Sequence, residues 1–423
     1  GEVPKDLDGL LVRNGPNPIA VPDPAHHSWF VGDGIIHTVE LRGGVAVAYR
    51  NRYLRTTRAV AALGGPLAPG PAPLVFDGSN TNVVPFGREV LSVAEGSMPY
   101  VVDATGRTLR RIDFGGGLDH GLSAHAKYDA ATGELHNVGY RITGAPWAVW
   151  QVIDRSGRIV RTVPIDIPRA GMWHTFSLTG RYVVLYDLPV VFTPERLEAG
   201  WVFPFAWDEH HQARVGLIER DGDGSVRWLD VPPCFANHDI AAHDTPSGVT
   251  VHLSVSRRIF DRDAAGPLET PPRLQRWDID VPSGIVRQTT LDDRALEFPR
   301  AHPGAGLGAV RYVYGVGAGP GRSGGGVLEP GNAIIKHDLV RQRVEVGRLG
   351  ATKATAEAVF VADPGRERDE DGGWLVSFVY DAAVDRSELA VTDAQDVQAG
   401  PIARVLLPQR VPFGFHGNWF PAA

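Results

Sequence analysis

Three features are scarce in this 423-residue sequence: it has one cysteine, no long apolar run and no excess of basic charge. The single cysteine, Cys234, excludes an internal disulfide and fits a reducing compartment, so we expect a cytoplasmic protein. Because no apolar run approaches about 18 residues, we expect no transmembrane helix, and no signal peptide is visible. The formal net charge of −7 argues against nucleic acid as a partner, since no basic excess is available to neutralise phosphates.

What the sequence has instead is a large content of turn-forming residues, with 50 glycines and 33 prolines between short apolar runs. This composition favours an all-β protein over a helical one. A chain of 423 residues exceeds the usual size of a single hydrophobic core, about 250–300 residues, so it either splits into domains or distributes its core over repeats. The repeats described next favour the second arrangement, as one domain over residues 1–423.

One turn formula recurs along the chain, beginning with Asp and ending with Ser-Gly or Thr-Gly. Its copies span residues 103–106, 129–133, 154–157, 244–248 and 280–284. The Asp side chain can accept hydrogen bonds from the amides of its own turn, and Gly readily adopts the positive φ that such turns require. Five copies between short β-rich runs predict repeated antiparallel sheets built from hairpins.

Six polar residues that could reach a metal, or support its ligands, recur at nearly one spacing. In chain order they are His125, His174, His238, Glu297, Glu357 and His416, at intervals of 49, 64, 59, 60 and 59 residues. A four-stranded propeller blade with its loops takes about 40–50 residues, and more with insertions. If each residue lies on the innermost strand of its own blade, all six point at one axis. With a further N-terminal period, the sequence predicts a β-propeller of roughly seven blades.

Four segments depart from the simple hairpin pattern. Residues 29–37 contain Gly-Asp-Gly and predict a hairpin. Residues 188–211 carry clustered aromatic residues and predict an insertion over one face, and residues 316–331 are glycine-rich and predict a mobile loop. Residues 59–77 are rich in Ala, Pro, Gly and Leu and predict a loosely ordered apolar loop, for which a tunnel lip or a membrane-facing patch is the alternative interpretation. We therefore expect loop and short helical insertions that cap one face.

A lone histidine is usually a hydrogen-bonded core residue, but four at blade-like spacing favour a shared metal site. Imidazole suits zinc, copper, iron and nickel, so the ligand type alone does not choose the metal. Four neutral ligands that occupy part of an octahedron leave positions open for dioxygen or substrate, whereas a structural zinc site more often includes cysteine in a closed tetrahedron. We therefore expect Fe(II) as the metal.

The glutamates have a role that does not require direct ligation. A metal-bound histidine normally gives its other N–H to a carboxylate or carbonyl, which fixes the tautomer and the ring angle. Glu297 and Glu357 lie in apolar settings, where an isolated charge is costly and such a partner offsets the cost. Glu95 is a third candidate. The alternative interpretation is that these are ordinary carboxylates at strand ends.

Several motifs together resemble those of the carotenoid cleavage oxygenases, a family that includes apocarotenoid oxygenases, lignostilbene dioxygenases and the retinoid isomerase of the eye. The motifs are Arg-Asn-Gly-Pro-Asn-Pro at 13–18, Gly-Asp-Gly at 32–34, Ser-Ala-His at 123–125, Trp-His-Thr-Phe at 173–176, Glu-Phe-Pro at 297–299 and Pro-Phe-Gly-Phe-His-Gly at 412–417. The resemblance implies a seven-bladed propeller with Fe(II) on its axis. It also implies that His125, His174, His238 and His416 bind the iron, with Glu95, Glu297 and Glu357 behind them. Such enzymes use O2 to split an alkene C=C bond into two carbonyl products, without an organic cofactor.

Two positions differ from relatives and bear on the substrate. Lignostilbene-type relatives carry a lysine at the position of Ala94, and its loss removes a partner for a phenolate. We therefore expect an apolar alkene, a carotenoid or an apocarotenoid. Asn237 replaces a phenylalanine of many relatives and makes the pocket more polar, which keeps a stilbene or phenylpropene substrate as an alternative. Retinoid-type isomerisation without O2 and a metal-free propeller that serves as an interaction platform are further alternatives.

Overall fold

The computed structural model describes residues 1–264, 269–317 and 331–422, so most of the glycine-rich segment 316–331 lies outside the described residues. Strands dominate these ranges. The helices found there are α1 (Thr57–Leu63), α2 (Pro194–Glu198) and the single 3-10 turns Pro24–His26, Pro303–Ala305 and Val397–Ala399. None of the described helices has the length and apolar character needed to cross a bilayer.

Seven four-stranded antiparallel sheets form the blades of a β-propeller, which we number in chain order. The first blade starts with β1 (Gly9–Pro16), β2 (Gly34–Arg42) and β3 (Val45–Tyr53). The second blade contains β4 (Asn82–Phe86), β5 (Glu89–Val93), β6 (Tyr100–Val102) and β7 (Thr108–Arg111). The third blade contains β8 (Lys127–Asp129), β9 (Glu134–Tyr140), β10 (Ala148–Ile153) and β11 (Ile159–Ile165).

The fourth blade carries an inserted hairpin between its second and third strands. In chain order its elements are β12 (Ser177–Leu178), β13 (Tyr182–Asp187), the inserted β14 (Val190–Phe192) and β15 (Phe205–Trp207), then β16 (Arg214–Glu219) and β17 (Val226–Asp230). The fifth blade contains β18 (Phe235–Thr245), β19 (Gly248–Ser256), β20 (Arg273–Asp280) and β21 (Ile285–Ala295).

The last two blades and the closing strand complete the ring. The sixth blade contains β22 (Glu297–Arg300), β23 (Tyr312–Gly317), β24 (Ala333–Asp338) and β25 (Arg343–Arg348). The seventh blade contains β26 (Lys353–Ala362), β27 (Gly373–Asp381), β28 (Arg386–Asp393) and β29 (Pro401–Leu406). The final strand, β30 (Gly417–Pro421), returns to the first blade and pairs antiparallel with β1, so that Leu11 faces Trp419. Because the two ends of the chain share one sheet, the ring closes through backbone hydrogen bonds.

The apolar core is spread over the interfaces between blades. One cluster, for example, packs Leu11 and Val39 of the first blade against Val376 and Leu389 of the seventh. Alternate residues of each strand point toward the neighbouring blade, so every blade buries its faces against the next one. The expectation of a core distributed over repeats, built as a seven-bladed all-β propeller, is confirmed.

The five Asp-to-Gly segments all lie at hairpin bends between consecutive strands. In the first, Asp103 Oδ1 accepts hydrogen bonds from the amides of Thr105 and Arg107, at 2.9 and 3.0 Å, and Gly106 has a φ of 75°. The side chain thus satisfies the turn amides while glycine adopts the left-handed conformation that closes the bend. The turn chemistry therefore predicted these hairpins correctly.

The prediction of a hairpin over residues 29–37 is wrong. Residues 29–33 contain no strand, and β2 begins only at Gly34 and pairs with β1. The carboxylate of Asp33 instead accepts hydrogen bonds from the amide of Ile19 and from the guanidinium of Arg58, at 2.9 and 2.8 Å. Asp33 therefore ties the loop that contains Ile19 to helix α1, which turn residues alone do not reveal.

The two apolar segments differ from each other in structure. Residues 59–77 contain most of α1 and then continue without regular structure. Residues 188–211 form the inserted hairpin with α2 between its strands, and this insertion supplies part of the wall of the cavity described below. The expected capping of one face by loops and short helices is confirmed.

Candidate metal centre

Each of the six regularly spaced residues lies at the start of, or within, the innermost strand of a different blade. His125 precedes β8, His174 precedes β12, His238 lies within β18, and His416 directly precedes β30. The two glutamates occupy the sixth and seventh blades, since Glu297 opens β22 and Glu357 lies in β26. The spacing in the sequence therefore reflects the repeat of the propeller, and the blade geometry directs all six side chains to the axis.

The four histidine rings converge on one point. The Nε2 atoms of His125 and His174 are 3.1 Å apart, those of His174 and His238 are 3.3 Å apart, and those of His238 and His416 are 3.2 Å apart. One ligand atom from each ring lies within 4.8 Å of all the others. Residues that are up to 291 positions apart in the chain thus present their nitrogens to a single small volume.

Three of the four rings have a carboxylate behind them. Nδ1 of His174 lies 2.9 Å from Glu95 Oε1, that of His238 lies 3.2 Å from Glu297 Oε2, and that of His416 lies 2.8 Å from Glu357 Oε1. The contacts of His238 and His416 are hydrogen bonds, and they place the ring proton on Nδ1 because a carboxylate accepts and does not donate. Glu95 Oε1 lies beside His174 Nδ1 without forming a hydrogen bond. The Nε2 atoms of His238 and His416 therefore carry lone pairs that point toward the axis. Among the described residues, no carboxylate lies at ion-pair distance from the His125 ring.

The arrangement of the nitrogen lone pairs shows whether the four-histidine group suits a cation. Lone pairs that face one another at 3.1–3.3 Å repel, and a positive ion between them removes the repulsion. Imidazole–metal bonds of about 2.1 Å place neighbouring nitrogens about 3.0 Å apart at right angles and about 3.4 Å apart at tetrahedral angles. The observed separations fall in this interval. The four-histidine group therefore fits a metal site.

Burial lowers the pKa of two of the converging rings, His125 and His416, and so favours their uncharged forms. Burial lowers the pKa of His125 well below the usual value for histidine, and the neighbouring histidines lower this pKa further. The pKa of His416 falls to about 4, mainly through burial, although Glu357 opposes the shift. Burial alone would raise the pKa of Glu357, but Arg300 and His416 lower it to about 2. At neutral pH the rings of His125 and His416 are thus uncharged, as metal ligation requires, and the carboxylate of Glu357 is ionised.

An elongated space, which we call the aromatic cavity, reaches this centre from one side. Its volume is about 400 Å3, and it borders His174, His238 and His416. Aromatic rings form much of its wall: Trp29, Phe30, Phe203, Phe260, Phe298 and Phe415. The ring centroid of Phe30 lies 5.5 Å from that of Phe203 and 5.6 Å from that of Phe415, and both rings are nearly parallel to it. Such a wall suits a flat, apolar and conjugated ligand.

Apolar surface dominates the wall of the aromatic cavity, but polar residues also line it, among them Asp119 and Arg141. Asn237 lines the cavity and its side-chain amide donates to Ser256 Oγ at 2.9 Å. Tyr140 also lines it, and burial together with the charge of Glu95 raises the pKa of its hydroxyl, which therefore stays protonated as a donor. Ala94, which was expected in the pocket, is only 1 % exposed and does not line the aromatic cavity.

A second space, which we call the axial cavity, reaches the same centre between the innermost strands. Its volume is about 930 Å3, and it borders His125, His238 and His416. Ion pairs line it: Lys127 Nζ lies 2.6 Å from Asp239 Oδ2, and Arg300 Nη2 donates to Glu357 Oε2 at 2.8 Å. The two cavities thus meet at His238 and His416.

Arg300 is the residue near the centre that the sequence analysis missed. It follows directly on the Glu-Phe-Pro segment at 297–299 and pairs with Glu357. A glutamate within the apolar strand β26 requires a compensating cation, and this requirement was a signal that could have directed attention to a basic residue. The sequence alone does not show which of the 42 basic residues supplies it.

Comparison with known proteins gives the same picture. The model of the family described as retinal pigment epithelial membrane protein matches residues 1–421. A carotenoid cleavage oxygenase of Mycobacterium tuberculosis H37Rv is 37% identical, covering 100% of this chain and 93% of its own. The chain belongs to the carotenoid cleavage oxygenase family.

Other members of the carotenoid cleavage oxygenase family match over nearly the whole chain as well. A carotenoid 9,10(9',10')-cleavage dioxygenase of Crocus sativus is 31% identical over 98% of this chain and 84% of its own. Among solved structures, Pseudomonas brassicacearum lignostilbene dioxygenase has a TM-score of 0.89 at 27% identity, and a mutant of Synechocystis apocarotenoid oxygenase has 0.86 at 26%. Both matches cover 100% of this chain and 94% of theirs. Membership of this family therefore identifies the protein as an oxygenase.

Proposed function

We propose that the protein is an Fe(II)-dependent dioxygenase that cleaves an alkene C=C bond of a carotenoid or apocarotenoid. One O2 is consumed per bond, and each carbon of the former double bond receives one oxygen atom to give two carbonyl products. The observation that supports the proposal is the junction of four converging imidazoles with an aromatic-walled cavity. Family membership and the names of the relatives point to the same reaction.

Within this proposal His125, His174, His238 and His416 hold the iron, which when bound supplies the redox chemistry with O2. Glu95, Glu297 and Glu357 keep the Nδ1 proton of three of these rings in place and so fix the direction of each Nε2 lone pair. The aromatic cavity binds the polyene by apolar contact, excludes water and holds the scissile bond beside the histidines.

A test is aerobic incubation of the iron-loaded protein with an apocarotenal, followed by mass spectrometry and measurement of O2 uptake. We expect two carbonyl products whose masses sum to those of the substrate and one O2, and no product under nitrogen. Isomerised substrate without O2 uptake would indicate a different reaction. Intact substrate in the presence of stoichiometric bound iron would overturn the assignment, and a purified protein that takes up no metal would favour an interaction platform.

The same cleavage on a stilbene or phenylpropene is a second candidate. The protonated hydroxyl of Tyr140 and the amide of Asn237 favour it, because both can hydrogen-bond a phenol within the aromatic cavity. Parallel assays with a resveratrol-like substrate and a polyene distinguish the candidates. Tyr140→Phe is the matched variant, since it removes only the hydroxyl. A loss confined to the phenolic substrate supports the second candidate, and unchanged rates on both support the first.

We further propose that the mouth of the aromatic cavity contacts a membrane, from which an apolar substrate enters. Three of the residues that line the cavity are also exposed hydrophobics, Val75, Leu197 and Val202, and Val75 is 83 % exposed. Apolar side chains that stand free at a cavity mouth are typical of a surface that meets lipid. Sedimentation with phosphatidylcholine vesicles tests this, with Val75→Ser and Leu197→Ser as variants. Equal sedimentation of wild type and double variant would contradict it.

A further inference from the structure

Arg300 occupies a position where three blades meet. It is the last residue of β22 in the sixth blade, and its guanidinium extends to Glu357 in the seventh. Nη2 donates to Glu357 Oε2 at 2.8 Å, and Nε lies 2.8 Å from Oε1. The same side chain reaches the closing strand β30, where it donates to the carbonyl of Gly417 and, at 3.4 Å, to Asn418 Oδ1. One planar cation therefore touches two further blades at once.

Glu357 continues these contacts to the histidine centre and to the same closing strand. Its Oε1 accepts from Nδ1 of His416 at 2.8 Å, and its Oε2 accepts from the amide of Gly417 at 2.7 Å. Each carboxylate oxygen thus has one contact with Arg300 and one with the chain at residues 416–417. The result is a closed set of contacts among Arg300, Glu357, His416 and Gly417, which we call the closure network.

The other two glutamates behind the histidines lack such an arrangement. Glu297 accepts from Ser254 Oγ at 2.9 Å in addition to its contact with His238. Glu95 lies against His174. Among the described residues neither of these two carboxylates has an arginine at ion-pair distance. The arginine is therefore specific to the one histidine that is carried by the ring-closing strand.

We propose that Arg300 is a positioning residue that couples ring closure to metal binding. It holds Glu357 in the one orientation in which the carboxylate both directs the His416 ring and ties β30 to the seventh blade. Metal binding at His416 then stabilises the pairing of β30 with β1, and loss of the Arg300 contacts weakens both. A planar fork is needed for this, because a single ammonium cannot meet both carboxylate oxygens and the Gly417 carbonyl. The inference rests on the metal site proposed above.

The test compares wild type with Arg300→Gln and Arg300→Lys. Affinity for Co(II) is measured by chelator competition and by visible absorption, and hydrogen exchange is followed over β30 and β1 with and without metal. We expect Arg300→Gln to lower the affinity about 10- to 100-fold, as loss of groups that support metal ligands does, and to alter the Co(II) spectrum. It should also abolish the protection that metal gives to β30. Arg300→Lys, which keeps the charge, should restore the affinity only in part.

A matched control is Arg220→Gln. Arg220 also forms a largely buried ion pair between two blades, with Nη2 2.6 Å from Asp129 Oδ2, but it takes no part in the closure network. This variant should lose thermal stability and keep wild-type metal affinity and wild-type exchange in β30. Arg300→Gln with wild-type affinity, or with lower affinity but unchanged exchange in β30, would overturn the coupling. If Arg300→Gln does not fold, Arg300→Lys supplies the test. An Arg300→Lys variant with full Co(II) affinity and a wild-type Co(II) spectrum would overturn the coupling. A wild-type protein that binds no Co(II) or Fe(II) would remove the metal site itself, and the coupling with it.

Discussion

The aromatic cavity and the axial cavity reach the same histidines through walls of opposite character. Rings such as Phe30 and Phe203 line the first, whereas ion pairs such as that between Lys127 and Asp239 line the second. His174 borders only the aromatic cavity, and His125 borders only the axial one. The centre thus stands at a boundary between an apolar and a charged environment.

The difference between the two walls indicates that the two cavities have different roles. An apolar wall gives binding energy to an apolar ligand and keeps water from the centre. Ion pairs offer such a ligand little, but those along the axial cavity fix the strands that carry the histidines, because each pair joins two different blades. We therefore expect changes in the aromatic cavity to alter substrate use, and changes along the axis to alter metal binding and stability.

The largest effect is expected where the two cavities meet. His238→Ala removes a ligand that borders both, so we expect no stoichiometric iron and no product above the uncatalysed rate. Iron content by atomic emission and product analysis measure this. His252→Ala is the control, since His252 is also buried in the fifth blade but lies outside the ring of four. Full iron content in the His238 variant would show that this ring is not a ligand.

A smaller effect is expected for the carboxylates behind the rings. Glu297→Gln keeps the size of the side chain but lets its amide face Nδ1 of His238, so the fixed tautomer is lost. We expect iron affinity to fall about 10- to 100-fold, as measured by chelator competition. Glu89→Gln, which breaks a partly exposed ion pair with Arg110, serves as control and should retain the affinity. Equal affinities in the two variants would contradict the role given to Glu297.

Substitutions in the aromatic cavity should lower kcat/KM for the substrate, whereas substitutions in the axial cavity should not. Truncating Phe30 to Ala removes apolar contact worth about 1.5–3 kcal/mol, so kcat/KM for a polyene should fall about 10- to 100-fold while iron content stays constant. His302→Ala removes a ring from the wall of the axial cavity and should leave kcat/KM unchanged. The reverse pattern, with the larger loss in the His302 variant, would place the substrate in the axial cavity.

The smallest expected effect is a dependence of stability on pH, caused by histidines that lie outside both cavities. Burial, with a further contribution from Arg220, lowers the pKa of His136 to about 4, and burial lowers that of His252 to about 4. In the unfolded chain both pKa values return to about 6.5, so between pH 6.5 and 4 the unfolded state binds more protons. Stability should be constant above about pH 6.5 and fall below it, by roughly tenfold per pH unit in the folding equilibrium for each histidine.

Urea unfolding of the metal-free protein at several pH values measures this decline. His136→Gln should make the acid limb shallower, because one of the buried protonation sites is gone. An unchanged slope would mean that other groups cause the decline.

Much of the architecture was predictable because a propeller repeats in the sequence as well as in space. The interval from Glu297 to Glu357 and then to His416 is close to one blade, so the alignment of these residues on inner strands follows from counting. The turn formula marked five hairpins for the same reason, since its chemistry is local.

Contacts between blades could not be predicted in this way. Which glutamate meets which histidine depends on the tilt of neighbouring strands, and the pairing of Glu95 with His174 joins the second blade to the fourth. Arg300 was missed because its partner lies 57 residues away. Ala94 does not line the aromatic cavity, and its bearing on the choice of substrate stays a prediction.

The pairing of β30 with β1 also sets an order of events during synthesis. The ribosome releases His125, His174 and His238 long before His416, which emerges together with the strand that closes the first blade. Until that strand has been made, the nascent chain has three of the four converging imidazoles and an open sheet edge.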